Sequence, residues 1–203
     1  MQERAIVTEL PECDAQAWDA CVAAHPQGTL FHTLAWRNAV SGAFEHPPCY
    51  LAAYRAGRIA GVLPLFRIAS RLAGTLLVSV PYAVYGGALA SDAETYDALF
   101  DSARSLAERC DARWIDIRST QARWPRLPIL ERYVTFRKKL PSHPQDVLSQ
   151  MPRKARAAAR AARERFGLEA RFDDEQLDEV WGLYSLNMRR LSSLNYPRRF
   201  FEL

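Results

Sequence analysis

The stretch LAGTLLVSVPYAVYGGALA, residues 72–90, contains no charged residue and approaches the length of a membrane-spanning helix. Gly74, Pro81, Gly86 and Gly87 interrupt it, and Arg67 and Arg71 stand just before it, so a spanning helix is the poorer reading. Leu76, Leu77, Val78 and Val80 instead read as a strand buried on both faces. Such a strand needs neighbours at its edges and cover above and below. The remaining sequence must therefore supply a sheet and helices on both of its sides. No transmembrane segment is expected.

The rest of the chain offers those partners. Residues 5–10 read as a strand, and Pro11 with Asp14 opens a helix running through Trp18 to residue 24. His25-Pro26-Gln27-Gly28 is a turn, and residues 31–41 read as a second helix in which Leu34 and Val40 flank Trp36. Residues 50–54 and 58–68 form two strands around Ala56-Gly57, an antiparallel hairpin with Pro64 at a bulge or edge. After the buried strand 76–80 comes a loop, 81–90, rich in Tyr and Gly. Asp92 is a good N-cap for an amphipathic helix with Tyr96, Leu99, Phe100, Ala103, Leu106 and Ala107 on one face. Residues 113–118, RWIDIR, alternate as a strand, 121–130 form a Pro-rich connection, and 133–140 read as a further strand. This order predicts an α/β fold with a mixed sheet flanked by helices. Beyond a linker with Pro141, Ser142 and Pro144 lie a basic helix over 152–166 and a helix over 173–191. The latter carries Leu177, Val180, Trp181, Tyr184 and Leu191 as its expected buried stripe.

Charge is distributed unevenly. The chain has 203 residues, 27 Lys+Arg and 23 Asp+Glu, a net charge of +4. The segment SQMPRKARAAARAARERFG, residues 149–167, holds six bases and one acid; without it, 21 bases face 22 acids. The positive excess is thus local, unlike that of a general polyanion binder. Pro152 suits a first helical turn and Gly167 a C-terminal stop. Arg153, Arg156, Arg160 and Arg163 share one helix face, while Ala155, Ala159, Ala162 and Phe166 share the other, which is expected to dock. The arginine stripe suits a solvated face or a phosphate-bearing ligand such as tRNA or a pyrophosphate. Without an Asn/Gln/Arg base-reading set in a helix-turn-helix setting, duplex DNA is not expected.

Four cysteines (Cys13, Cys21, Cys49, Cys110) make no CxxC pair, and His25, His32, His46 and His143 show no metal-ligand spacing. No metal is expected, and the thiols fit a reducing cytoplasm. MQERAIVTEL lacks the apolar core of a signal peptide.

Four segments in order, HPQGTLFHTLAW (25–36), YLAAYRAGRIAGVLPLF (50–66), SVPYAVYGG (79–87) and MPRKARAAARAARERFGL (151–168), resemble the FemAB-like branch of the GNAT acyltransferase superfamily. They are most similar to the FemAB-related proteins associated with exosortase and PEP-CTERM systems. The resemblance implies two GNAT-like domains in tandem: residues 1–140 the first, and 141–203 a linker with the leading part of a second that is expected to be truncated. It implies transfer of an acyl or aminoacyl group, from acyl-CoA or aminoacyl-tRNA, to an amine of a cell-envelope or exopolysaccharide precursor. A cytoplasmic protein working at the inner face of the membrane is expected. Where GNAT donor sites carry a Gln/Arg-x-x-Gly-x-Gly/Ala loop, this chain reads PYAVYGGALASD. The first domain is therefore not expected to hold CoA in the usual way, and no tightly bound cofactor is expected.

Several side chains are candidates for the acceptor site. His32 and Trp36, one helical turn apart, line a cleft or form a packed pair. Tyr82 and Tyr85 flank the exit of the buried strand, where sheet-end loops build ligand sites. Arg118 closes the RWIDIR strand beside Asp116, which is a general base or, the favoured reading, a sheet-edge charge. Arg153, Lys154, Arg156 and Arg160 are the candidates for a phosphate-bearing donor. No catalytic nucleophile is legible, and the amine of a GNAT reaction needs none. Two other classes stay open: a non-catalytic GNAT-like binding module, and an RNA-binding protein using the helix 152–166.

Overall fold

The computed structural model describes residues 4–120, 124, 127–130, 134–170 and 174–203. They form two compact units, Met1–Trp124 with Trp181–Leu203, and Pro125–Val180.

The first unit is built on two hydrogen-bonded sheets. β1 (Ile6–Glu9), β2 (Leu51–Arg55), β3 (Arg58–Leu63) and β6 (Leu89–Ala90) form an antiparallel sheet in the order β1-β2-β3-β6. β4 (Phe66–Ser70), β5 (Gly74–Val78) and β7 (Ala112–Asp116) form the other, with β5 central, antiparallel to β4 and parallel to β7. The single strand expected over 58–68 is two strands. Pro64 has no N–H for a ladder, so β3 ends at Leu63 and the chain re-pairs as β4 from Phe66. The two-residue hairpin is as expected. Ala56 and Gly57 have φ of 47° and 72°, the left-handed pair of a type I′ turn.

Helices cover both sides. α1 (Ala15–Ala24) and α2 (Leu34–Phe44) bring Trp18, Val22, Leu34 and Val40 onto Tyr50, Ala52, Val62 and Phe66. α3 (Ala93–Arg109) brings Tyr96, Leu99, Ala103 and Leu106 onto Leu51, Ala53, Leu63 and Leu77. Alternate residues of β2 therefore enter opposite cores, and β5 is central as the uncharged run required. Asp92 caps α3, accepting from the Thr95 amide at 2.8 Å and the Thr95 hydroxyl at 2.9 Å. These bonds hold its carboxyl below the ordinary value.

α2 begins later than its periodicity suggested. Residues Leu30–His32 make a 3-10 turn, and Thr33 caps α2 by accepting from the Trp36 amide at 3.3 Å. His32 and Trp36 therefore belong to different elements. α5 (Leu177–Arg190) buries none of its expected stripe: Val180 and Leu191 are exposed, and Leu177, Trp181 and Tyr184 half-buried. Its first residue as expected, Asp173, lies outside the described residues. α6 (Arg199–Glu202), which the sequence did not announce, packs against α2 through Phe200.

The second unit corrects two expectations. Tyr133 lies outside the described residues, and residues 134–140 are not a strand. Val134, Phe136 and Leu140 are 80%, 93% and 72% exposed, and alternation without a neighbouring strand buries neither face. α4 (Arg153–Glu164) forms where the basic stretch predicts a helix, ending before Gly167 at φ 60°. Its alanine face does not dock. Ala155 and Phe166 are exposed, Ala159 and Ala162 only half-buried, and α4 has no buried residue. Methyl side chains offer too little apolar area to drive packing at about 25 cal/mol per Å².

Candidate functional site

The parallel strands β5 and β7 end side by side, Val78 opposite Asp116, and a loop over residues 79–88 rises from that end. Its backbone is unusual. Ala83 N–H donates to the Val80 carbonyl at 3.2 Å across Pro81-Tyr82, and Tyr82 has φ 64°. That is the pattern of a type II turn, whose third position ordinarily takes Gly or Asn. Tyr85 is left-handed too, at φ 60°. Each such residue costs of order 1–3 kcal/mol and is kept only where its surroundings over-determine it.

The surroundings are specific. Arg118 donates through Nη1 to the carbonyls of Val80 (3.2 Å) and Ala83 (2.9 Å), and through Nε to Asp116 at 3.2 Å. Its own amide donates to the Ser79 hydroxyl at 2.9 Å, and its carbonyl accepts from Gly86 N–H at 2.8 Å. Arg118 is thus the clamp of the loop, and Asp116 is its counter-ion. The Gly pair serves close packing. A Cβ at Gly86 would lie 2.1 Å from Val80 Cγ1, and one at Gly87 2.8 Å from Ser119 Cβ. With Gly86 N–H already bonded, this loop is not a free phosphate cradle.

His32 pins the loop from below and does not line a cleft. It is 1% exposed. The Gly87 carbonyl, 3.0 Å from Nε2, can only accept, so Nε2 carries the proton. Nδ1 then accepts from the Thr29 amide at 3.2 Å. Thr29 Oγ1 in turn reaches the Tyr85 carbonyl at 3.2 Å. Both ring nitrogens are occupied, and burial lowers the imidazole pKa.

Above the loop lies an aromatic cluster. Tyr82 stacks on Phe44 at 3.9 Å between centroids and 20° between planes, and its hydroxyl is 2.8 Å from His46 Nε2. Tyr196 meets Tyr82 edge-on at 5.5 Å, and Phe200 joins Phe44 to Trp36 at 5.3 and 5.5 Å. Burial raises the Tyr82 and Tyr196 phenols and lowers His46. Trp36 also packs on Phe31, and its Nε1 is buried with no hydrogen-bond partner among the described residues.

The fold therefore links Trp36 to Tyr82 through Phe200 and Phe44, and clamps the Tyr82 loop with Arg118; it sets His32 against that loop and leaves Tyr85 half-buried in it. Arg153, Lys154, Arg156 and Arg160 belong to the second unit. Lys154 and two of the arginines are exposed, while Arg156 is half-buried and donates to the Ser149 carbonyl at 3.3 Å. Sequence reasoning missed Phe44, His46, Tyr196 and Phe200. Their partners lie far away in the chain, and no local pattern marks them. Among the described residues no cluster of three or more His, Cys, Asp or Glu is placed to hold a metal, and no helix is long and apolar enough to cross a membrane.

No family model matches the chain, and no curated protein matches it. Among solved structures it is similar to FemX, with a TM-score of 0.60 and 21% sequence identity, over 97% of this chain and 53% of FemX. The chain thus spans about half the length of FemX. It also matches the ribosomal-protein-alanine N-acetyltransferase from Brucella melitensis biovar Abortus 2308, with a TM-score of 0.45 and 12% identity, over 68% of this chain and 100% of the other. The likeness to FemX shows the fold: α/β and GNAT-like, with sheets flanked by helices.

Proposed function

We propose that this chain is part of an N-acyltransferase of the FemAB-like GNAT branch, moving an acyl or aminoacyl group to an amine of a cell-envelope or exopolysaccharide precursor. The observation that carries the reading is the strained loop at the end of the parallel pair. It holds the Tyr82 ring on the surface, 37% exposed, at one end of an aromatic chain through Phe44 and Phe200 whose other end, Trp36, carries a buried indole donor with an open valence. Sheet-end loops of open α/β folds are where ligands bind, and aromatic floors with one or two placed donors are typical of such sites. In this reading Tyr82 and Trp36 receive the acceptor, Arg118 and His32 hold the loop, and Arg153, Lys154, Arg156 and Arg160 serve a phosphate-bearing donor. That donor is acyl-CoA or aminoacyl-tRNA. Attack of the amine on the donor carbonyl forms the new C–N bond and expels the thiolate or the tRNA alkoxide, and the one proton lost from the nitrogen ends on that leaving group.

The test is a pair of titrations on the 203-residue chain. An amine-bearing muropeptide and an amino-sugar oligosaccharide are titrated while tryptophan fluorescence is followed, and CoA is titrated by calorimetry. The expected result is acceptor binding that Trp36→Phe and Tyr82→Ala each weaken, together with weak CoA binding, because Gly86 N–H is taken. Failure of both acceptors to bind, or a tight stoichiometric CoA complex on an unaltered loop, would overturn the assignment. A tRNA complex that ignores Tyr82 and Trp36 would favour the RNA-binding alternative, in which α4 alone acts.

A further inference from the structure

The released proton needs an acceptor, and the candidates narrow by geometry. Asp116 is engaged by Arg118. His32 is buried with both nitrogens used. His25 takes the Gln27 amide on Nδ1 at 3.1 Å and turns Nε2 toward the Ala90 carbonyl at 3.4 Å. His46 is different, because its Nε2 faces a hydroxyl that reaches solvent.

We infer that Tyr82 and His46 are the proton-accepting pair of this site, the Tyr82 oxygen taking the proton from the attacking amine as its own proton passes to His46 Nε2. This rests on the acyltransferase reading for the identity of the amine, but the pair itself is a property of the fold. Three features fix it. The 2.8 Å separation is a normal length for a hydroxyl on an imidazole nitrogen. The Tyr82 ring cannot swing away, being stacked on Phe44 at 3.9 Å, while its turn is tied down by Arg118. His46 lies nearly parallel to both rings, at 16° and 10°. Burial of His46 favours its neutral form, and in the tautomer with the proton on Nδ1 its Nε2 accepts from the phenol. Among the described residues, charged and titratable groups stand around the pair. They are Tyr196 with Tyr184 behind it, Arg118 with its partner Asp116, and the exposed Glu45 next to His46 in the chain. Burial first, and then Tyr196, raise the Tyr82 phenol, so Tyr82 passes its proton on as the amine proton arrives and does not stand as a phenolate. In the transfer the amine N–H bond breaks as the N–C bond forms, and the tyrosine hydroxyl is regenerated. The imidazolium then returns the proton to the departing thiolate or alkoxide, so the pair ends as it began.

The same pair can be examined without knowing the substrate. N-acetylimidazole acetylates phenols: an acyl–oxygen bond forms, the acyl–imidazole bond breaks, and the phenol proton must leave. Its rate at Tyr82 in the 203-residue chain is read by peptide mass spectrometry between pH 5 and 8. The expected result is labelling of Tyr82 about 10-fold or more faster in the unaltered chain than in His46→Gln. The advantage should develop as His46 loses its proton, with an inflection below pH 6.5 that the variant lacks. A His46→Gln chain that labels Tyr82 at the same rate and with the same pH profile overturns the inference. Should His46→Gln fail to fold, the His46 ring is followed by NMR in Tyr82→Phe. A titration midpoint that moves on loss of the hydroxyl supports the pair, and an unmoved one refutes it. Fast, His46-dependent labelling in a chain that binds neither amine-bearing acceptor would remove the acyltransferase reading and leave the pair standing.

Discussion

α3 and α4 both read as amphipathic helices, and both form. α3 buries Thr95, Tyr96, Leu99, Ala103, Leu106 and Ala107, whereas α4 buries nothing. The period is equally clear in each; what differs is the material placed on it. Leu99 and Tyr96 offer large apolar surfaces to β2 and β3, while the stripe of α4 offers methyl groups, and Phe166 just past its end stays 63% exposed. Amphipathic spacing therefore predicts a helix, but the size of the side chains on its apolar face predicts whether it is held. By this measure the first unit is a packed core with an aromatic cluster on its rim, and α4 is an accessible surface rich in charge.

That contrast can be broken or sharpened by substitution. The largest effect is expected for Leu99→Ala, which empties a fully buried position between α3 and the sheet. A loss of about 3–5 kcal/mol by urea denaturation is the expected outcome. A loss near zero would mean that α3 is no better seated than α4.

A smaller and pH-dependent effect is expected for His32. Its folded-state pKa is held below 6.5, so the folded protein resists binding a proton that the unfolded chain accepts. Its contribution is therefore complete above pH 6.5 and drains away as pH falls through and below that value. His32→Ala should cost about 1–3 kcal/mol at pH 7.5 by leaving the Thr29 amide and Gly87 carbonyl unpaired. The cost should shrink on acidification. A thermal midpoint difference independent of pH between 5 and 7.5 would show that His32 does not hold the loop as a neutral ring.

The smallest stability effect is expected in α4. Arg156→Ala with Arg160→Ala should change stability by roughly 0–1 kcal/mol, as befits charges that anchor no core. If the stripe serves a phosphate-bearing donor, the same pair should weaken tRNA binding and flatten its dependence on salt. Unchanged binding with unchanged stability would identify α4 as a solvated face. Unfolding would show that the arginines, and not the alanines, face the protein.

Much of the first unit was legible because its signals are local. Asp92 announced the start of α3, Ala56-Gly57 the hairpin, and the uncharged run a central strand. Where local signals compete the reading failed. Leu30–His32 satisfies helix spacing, but Thr33 caps a new helix instead of continuing an old one. The two-residue strand β6 is too short to leave a pattern at all. Residues 134–140 alternate as a strand should, and alternation cannot tell whether an edge is available to pair with. The site was half legible. Tyr82, Tyr85, Trp36 and Arg118 stand in or next to unusual turns, whereas His46 reaches Tyr82 across 36 positions and acquires meaning only in the fold. For His32 the sequence left a cleft role and a packed one open, because its lone imidazole carries no mark of the two backbone groups that consume it.

The parallel pairing of β5 with β7 also has a consequence for the order in which the molecule assembles. β2 and β3 are joined by two residues and can zip within microseconds, as isolated hairpins do. β5 and β7 meet only after α3, which lies between them, has formed and crossed over, so the rim on which Tyr82 sits closes late. A nascent or partly unfolded chain would then carry a formed hairpin core while the loop over residues 79–88 is still open. Pulsed hydrogen exchange during refolding would show this as early protection of the Ala52 and Val62 amides and late protection of Leu77 and Ile115. Simultaneous protection of all four would mean that the rim and the core close as one event.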